Sequence, residues 1–388
     1  MIQIPVEPQI SEFLHKKAAF ARIPLSGTFE LTPVCNMDCK MCYVRMSKNA
    51  QEAIRPLRTA EEWIDLAAQA KEAGMLYLLI TGGEPFLHPQ FRQIMTELHK
   101  MGFVISINSN GTLIDESVVE WLKQCPPVRM NITLYGASDE TYARLCGNPK
   151  GYTQVTRGIS LLRNAGISVK LNCSLTPHNS SDFEQIVEYA KSEGLIIQAN
   201  SYMFPPLRKD GTKIGCNERF TPEEAAYYSA KVEALLNGAE AFLAKAEDEI
   251  PALPGDPEEN CMEFGDTMRC RAGKCSFWIT WEGKILACGM LPVSDEPNVF
   301  DLGFLPSWKE TVARTDAIRL PAACAGCALK SVCKACAAMV KTETGSFRQV
   351  PQYRCRMAAS YAQQRQKLRT EILSKRNETI PNGGASVE

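Results

Sequence analysis

The sequence predicts an α/β protein, a partial (β/α)6 barrel followed by a cysteine-rich C-terminal domain. Three observations predict it. Short β-rich runs alternate with helical stretches from about residue 27 to 204, glycines close four of those helices, and the cysteines crowd at two places. The candidate strands are 28–34, 76–81, 103–108, 129–135, 168–176 and 196–203. Several are apolar on both faces, as strands of a parallel sheet buried beneath helices should be. The candidate helices are 59–73, 89–101, 115–124, 152–165 and 181–193, with apolar residues at helical spacing. Gly74, Gly102, Gly166 and Gly194 stand where a helix would stop before the next strand. Six such units make an open barrel, smaller than the eight-fold kind.

Beyond residue 204 the character changes. Pro205-Pro206 opens a loop, 221–245 reads as a helix capped by Thr221 with Pro222 in its first turn, and 251–260 is a linker rich in Pro and acid. The stretch 261–355 reads as low in regular structure apart from a hairpin around Glu282-Gly283. A last amphipathic helix is expected over 357–375, before a polar tail. The expected division is therefore an N-terminal extension (1–26), the barrel (27–204), a helical linker (205–260), a cysteine-rich domain (261–360) and a C-terminal helix and tail (361–388).

Bulk properties exclude several classes of function. A net charge of −1 gives no electrostatic case for nucleic acid or an anionic membrane. No apolar run approaches the roughly 20 residues that span a bilayer. The start, Met1-Ile2-Gln3-Ile4-Pro5, lacks the basic and apolar regions of a signal peptide, so a cytoplasmic protein is expected. Sixteen cysteines then sit among reduced thiols, where metal binding is a better explanation than disulfides. Three fall between residues 35 and 42, nine between 261 and 355, and four, Cys125, Cys146, Cys173 and Cys216, are scattered singly. Those four and Cys261 read as buried small hydrophobes.

Cys35, Cys39 and Cys42 follow directly on the first strand, where active-site loops of such barrels gather. Their spacing, C-x3-C-x2-C, offers three thiolates and no fourth ligand nearby, whereas a tetrahedral zinc or an electron-transfer cluster wants four. Three thiolates on a four-iron cube leave one iron open for catalysis. At the end of the second strand stands Thr81-Gly82-Gly83-Glu84-Pro85. With these motifs one strand apart, the chain resembles the radical S-adenosylmethionine superfamily. The resemblance implies that Cys35, Cys39 and Cys42 hold a four-iron cluster whose open iron chelates S-adenosylmethionine, releasing a 5′-deoxyadenosyl radical on reduction. It implies that Met41 packs on the adenine, a place more often aromatic. Gly82, Gly83, Glu84 and Pro85 would receive the amino group, with glycine allowing close main-chain approach and a carboxylate matching an ammonium. Asn108 and Asn110, ending the third strand, resemble the segment that reaches the ribose. Arg144 stands where relatives place a cation for the carboxylate. Asn172, Ser174 and Thr176 alternate along one face of the fifth strand and would point together into the barrel, with Ser174 a further cofactor candidate.

The C-terminal cysteines, Cys270-x4-Cys275-x12-Cys288 and then Cys324-x2-Cys327-x5-Cys333-x2-Cys336 and Cys355, resemble the SPASM extension of that superfamily. Gly283 gives its G-x4-C segment. The resemblance implies two auxiliary four-iron clusters, one on Cys270, Cys275, Cys288 and Cys336, the other on Cys324, Cys327, Cys333 and Cys355. The Cys333–Cys336 spacing is one residue shorter than usual, Cys275 is not universal in the extension, and Cys261 is a possible substitute for it. Two zinc sites are the competing reading of the same pairs.

Members with this extension mostly modify peptides and proteins, so the expected function is hydrogen abstraction from a peptide or protein side chain, as in ribosomal-peptide maturases. A flavodoxin- or ferredoxin-type reductant would supply electrons. A small-molecule radical dehydrogenase is the alternative, and a zinc-stapled binding protein a remote one. Sulfatase maturases place an Asp after the third cysteine of the extension; Gly289 stands there, which speaks against that activity. Some 26 residues precede the first strand, too few for a winged-helix leader-binding domain, so the barrel, the extension or another protein is expected to recognise substrate. The loop from Tyr202 to Arg208 leaves the sixth strand at the expected mouth of the site; it reads either as a grip for peptide or as a Pro-rich connector.

Overall fold

A computed structural model of the chain describes residues 9–205, 218–244, 267–268 and 270–379. Cys216, Cys261, residues 206–208 and the expected linker 251–260 lie outside the described residues. Six parallel strands form on or overlapping the expected runs: β1 Ser26–Glu30, β2 Tyr77–Thr81, β3 Val104–Ser109, β4 Arg129–Thr133, β5 Val169–Ser174 and β6 Ile196–Asn200. Each pairs with its sequence neighbour, as short strand–helix crossovers favour. The fold is the expected α/β partial barrel.

The sheet is wider than six strands. β7 Ser276–Ile279 and β8 Ile285–Leu286 form the hairpin expected around Gly283, and β7 then pairs in parallel with β1. Strand order becomes β6-β5-β4-β3-β2-β1-β7-β8, open between β6 and β8. The C-terminal region is thereby joined to the strand that leads into the first cysteine motif. Gly283 has a φ of 98°, and a Cβ there would meet the Phe300 ring at 2.5 Å, so the tight turn needs glycine.

Strand alternation divides the sheet into two chemistries. Ile105, Ile107, Met130, Ile132, Leu171 and Cys173 are buried under the helices with Trp63, Leu98, Ile159 and Phe183. The intervening residues, Ser106, Asn108, Arg129, Lys170, Asn172 and Ser174, are polar and only part-buried. Asn172 and Ser174 thus share the inner face as expected; Thr176, past the strand end, is fully buried. Cys125, Cys146 and Cys173 are buried.

Elsewhere the helices depart from expectation. Gln9–Ala21 and Asp139–Cys146 are helices that the apolar spacing did not predict. The expected helix 221–245 stops at Asn237, because Gly238 takes a φ of 91°, and restarts over Ala239–Ala244. The cysteine-rich region is not low in structure: Phe304–Asp316 is a helix whose Phe304 and Trp308 pack on Phe277 of β7. The last helix, Gln352–Thr379, is longer than expected. No helix among the described residues is long and apolar enough to cross a membrane.

Candidate functional site

The three early cysteines occupy the loop leaving β1, pinned from below and beside. Met37 and Met41, four residues apart, are buried in the main core, so the loop is anchored by its apolar residues while Cys35, Cys39 and Cys42 stay part-exposed. Backbone N–H groups of Asp38 and Lys40 donate to Cys146 O (2.8 Å) and Leu145 O (3.0 Å), docking the loop on the end of the helix Asp139–Cys146. Cys35 Sγ accepts from Met37 N (3.4 Å) and Asn110 Nδ2 (3.6 Å), and Cys42 Sγ from Arg45 N (3.3 Å). Burial and then the nearby Glu84 charge push the Cys35 thiol up to about 12. Cys39 is raised mainly by a hydrogen bond with the Cys146 thiol and by burial. Cys146 is thus a neighbour of the motif as well as a core residue. No motif or spacing points to it, since only the fold brings residues 39 and 146 together.

The Gly82-Gly83-Glu84-Pro85 turn lies against this loop. Gly83 N donates to Thr32 O (2.6 Å) and Glu84 N to Val34 O (2.9 Å). A Cβ on Gly82 would stand 2.5 Å from Thr32 O, and one on Gly83 2.4 Å from Val34 O. The glycines are therefore required by close backbone packing against the strand exit. Glu84 is 0% exposed and its carboxylate turns into the protein. It accepts from Ser109 Oγ (3.0 Å), Asn110 N (2.8 Å) and Phe86 N (3.3 Å), while burial raises its pKa to about 7. Asn110 closes the circuit, donating from Nδ2 to Asn36 Oδ1 (2.8 Å) and to Cys35. Three strand ends are so interlocked through Cys35, Glu84 and Asn110.

The other candidates are placed as follows. Met41 is 4% exposed, within the core. Asn108 accepts from Asn131 Nδ2 (2.9 Å) on the inner face. Arg144 donates to His178 O (3.0 Å), tying its helix to the loop after β5. Pro85 is buried in the turn after Glu84, and Ser174 ends β5 with its carbonyl accepting from Asn179 Nδ2 (3.0 Å). Tyr202 is not left open as a grip. Its hydroxyl donates to Glu343 (2.7 Å), its ring packs on Tyr353, and Arg219 binds both Glu343 oxygens.

The C-terminal cysteines separate into groups. The Cys355 thiol is raised by burial and then by Cys333, Cys324 and Cys327, so each of those three lies within electrostatic range of Cys355. Cys288 and Cys336 pack on one small apolar cluster with Ala272, Ala287 and Ala337, and Cys270 is exposed. Cys275 packs elsewhere. It is 0% exposed and lies with Ala18 and Leu25, because it directly precedes the strand that pairs with β1. Of the expected set of Cys270, Cys275, Cys288 and Cys336, Cys275 is the most deeply buried. Among the described residues no three His, Cys, Asp or Glu side chains close to metal-binding distance. At the first motif, Cys35 and Cys42 accept from N–H donors and Cys39 faces a further thiol, surroundings that suit sulfur-ligated iron. Gly289, beside Cys288, lies on the Trp278 indole; a Cβ there would meet the ring at 2.4 Å. Trp278 Nε1 in turn donates to the buried Glu30 (3.0 Å). The space an Asp would need after Cys288 is filled by that ring.

The Radical SAM superfamily model matches residues 29–190. The chain is 25% identical to an AdoMet-dependent heme synthase of Methanosarcina barkeri over 85% of its own length and 95% of that relative. It is 26% identical to the antilisterial bacteriocin subtilosin biosynthesis protein AlbA of Bacillus subtilis, over 70% of this chain and 56% of AlbA. In fold it resembles Streptococcus suis SuiB, solved with S-adenosylmethionine (TM-score 0.62) and with the precursor peptide SuiA (TM-score 0.61). Each match has 17% identity and covers 90% of this chain, with 84% and 82% of the SuiB chains covered.

Proposed function

We propose that this chain, whose residues 29–190 match the Radical SAM superfamily model, is a radical SAM enzyme that modifies a peptide or protein side chain by hydrogen abstraction. The observation that carries this reading is the interlock of the cysteine loop with the Gly-Gly-Glu turn and Asn110, which builds one preorganised site from three strand ends. Cys35, Cys39 and Cys42 would hold the cluster, with the fourth corner left to S-adenosylmethionine. When bound, the pair supplies a carbon radical strong enough to take hydrogen from an unactivated C–H bond. Met41 and the Gly82–Gly83 backbone shape the cofactor's bed. Glu84, turned inward, fixes the turn to β3 and acts on the cofactor through Asn110. Arg144 holds the helix on which the loop is docked.

Cys324, Cys327, Cys333 and Cys355 would carry one auxiliary cluster, and Cys270, Cys288 and Cys336 would contribute to another. Both would pass electrons, with a flavodoxin- or ferredoxin-type protein as donor. The subtilosin biosynthesis relative supports a peptide substrate, and the fold is one that SuiB uses to hold a precursor peptide. A second reading, oxidation of a small molecule, is favoured by the heme synthase relative, matched over almost its whole length.

The test is anaerobic. Reconstituted protein with dithionite and S-adenosylmethionine should release 5′-deoxyadenosine, and with a short peptide encoded beside it should produce a mass loss of hydrogen from that peptide. Replacing Cys35, Cys39 and Cys42 together by Ala should abolish 5′-deoxyadenosine. Undiminished cleavage in that variant sinks the cluster assignment, and product from a heme precursor but no peptide favours the second reading.

A further inference from the structure

The inner face of the sheet holds two cations that no described carboxylate neutralises. Strand register sets residues in cross-sheet rows. Glu30 lies opposite Thr81, Thr81 falls in line with Asn108, and Asn108 pairs with Asn131, which pairs with Lys170. Glu30 and Thr81 end their strands directly before the cysteine loop and the Gly82 turn, whereas Asn131 lies midway along β4 and Lys170 near the start of β5, so the row slants from the rim of the site down the inner face of the sheet. One row deeper, Ser106 pairs with Arg129. Among the described residues neither Arg129 nor Lys170 has a carboxylate partner; Lys170 Nζ donates to the amide oxygen of Gln198 on the open edge strand.

Two like charges close together on a part-buried face are costly unless an anion joins them. The Lys170 amine carries the mark of that cost, its pKa held below the ordinary lysine value by burial and by Arg129. Between them and Asn108 sits Asn131, 8% exposed, whose Nδ2 is used by Asn108 and whose Oδ1 has no hydrogen-bond partner. Arg129 Nε is likewise buried and without one. Buried polar groups are normally satisfied. Two cations without a carboxylate, beside an orphan acceptor, call for a ligand presenting a negative group with an N–H close to it. An acidic amino-acid residue within a peptide has both, its side-chain carboxylate and its backbone amide. The planar guanidinium matches a carboxylate edge to edge.

We infer that Arg129, Lys170 and Asn131 form a subsite for an acidic residue of the peptide substrate, an inference that rests on the reading given above that the substrate is a peptide. The peptide's acidic side chain enters over the β6 edge, where Gln198 and Asn200 are exposed. Arg129 and Lys170 bind the carboxylate and Asn131 Oδ1 accepts from the neighbouring amide. The subsite sets which residue of the peptide lies under the radical; it takes no part in bond breaking.

The experiment measures the acetylation rate of Lys170 in reconstituted holoenzyme by mass spectrometry, so that no substrate need be known. The probes are N-acetylglutamate α-amide, its neutral glutamine analogue, glutarate and inorganic phosphate. N-acetylglutamate α-amide should slow Lys170 acetylation about tenfold at about ten times its half-saturating concentration, and the glutamine analogue should not. Arg129→Gln should remove the protection and Arg129→Lys should restore part of it. Equal protection by glutarate would overturn the amide-accepting role of Asn131 and point to a small carboxylic acid. Protection by phosphate alone, by both amides equally, or by no probe overturns the subsite. 5′-Deoxyadenosine release is read on the same samples. If it persists while Lys170 goes unprotected, only the subsite falls; if it is absent, the radical reading itself falls.

Discussion

The two cysteine regions of this molecule are held in place by different means. The N-terminal thiols sit in a loop fixed by the sheet, with Met37 and Met41 in the core, main-chain bonds to Leu145 and Cys146, and the Glu84–Asn110 brace. In the C-terminal region, Cys324 and Cys333 ride on the four-residue helices Ala322–Ala325 and Lys330–Cys333, neither of which buries a residue. Helices that short do not hold themselves together. The comparison teaches that the fold positions the first site, whereas bound metal would have to position the second.

Removing iron is the strongest way to break that comparison. With a chelator under anaerobic conditions, amides of 322–344 should lose most of their hydrogen-exchange protection while β1–β5 keep theirs, because binding energy is folding energy where ligands lack a core. Equal loss in both regions, read by exchange mass spectrometry, would show that the difference is false. Next in size, Cys355→Ala should lower bound iron by about one cluster's worth, as one ligand in four is lost. Cys275→Ala should leave iron unchanged and cost only roughly 1 kcal/mol of stability, as a trimmed core side chain. Iron analysis beside urea unfolding separates the two outcomes, and lost iron in the Cys275 variant would return that residue to the ligand set.

Two smaller effects sharpen the picture. Gly289→Ala forces a methyl into the Trp278 ring and should destabilise by about 1–3 kcal/mol, visible as a lower urea midpoint with unchanged slope. Glu84→Gln should alter the pH dependence of stability. The folded-state pKa of about 7 lies above the ordinary 4.5, so the unfolded chain loses its proton first. Wild-type stability should then fall as pH rises from about 4.5 to about 7 and level off above, and the Gln variant should lack that component. Parallel curves for the two proteins would show that the carboxylate is not held as its burial implies.

Much of the site was legible because it is local. The spacing of Cys35, Cys39 and Cys42 and the Gly-Gly-Glu-Pro turn lie within short windows, each at the end of a strand with its own hydrophobic signal. Less legible were the roles of single residues. Glu84 reads in sequence as a carboxylate facing a ligand, yet Ser109 and Asn110 draw it inward. The loop that Tyr202 opens reads as a grip for peptide or a connector, yet Glu343 binds Tyr202 from far along the chain.

From sequence alone came the strand–helix alternation, the open barrel, the first cysteine motif and the hairpin at Gly283, since each depends on periodicity or on neighbours a few residues apart. Tertiary structure decided which cysteines meet. Cys146 reaches Cys39, Cys275 packs with Ala18 and Leu25, and Cys355 approaches Cys324, Cys327 and Cys333, through contacts between distant segments. It also decided that Arg129 and Lys170 share one face on adjacent strands, a matter of strand register. Register depends on how whole strands pack against one another, and no short window of sequence carries it.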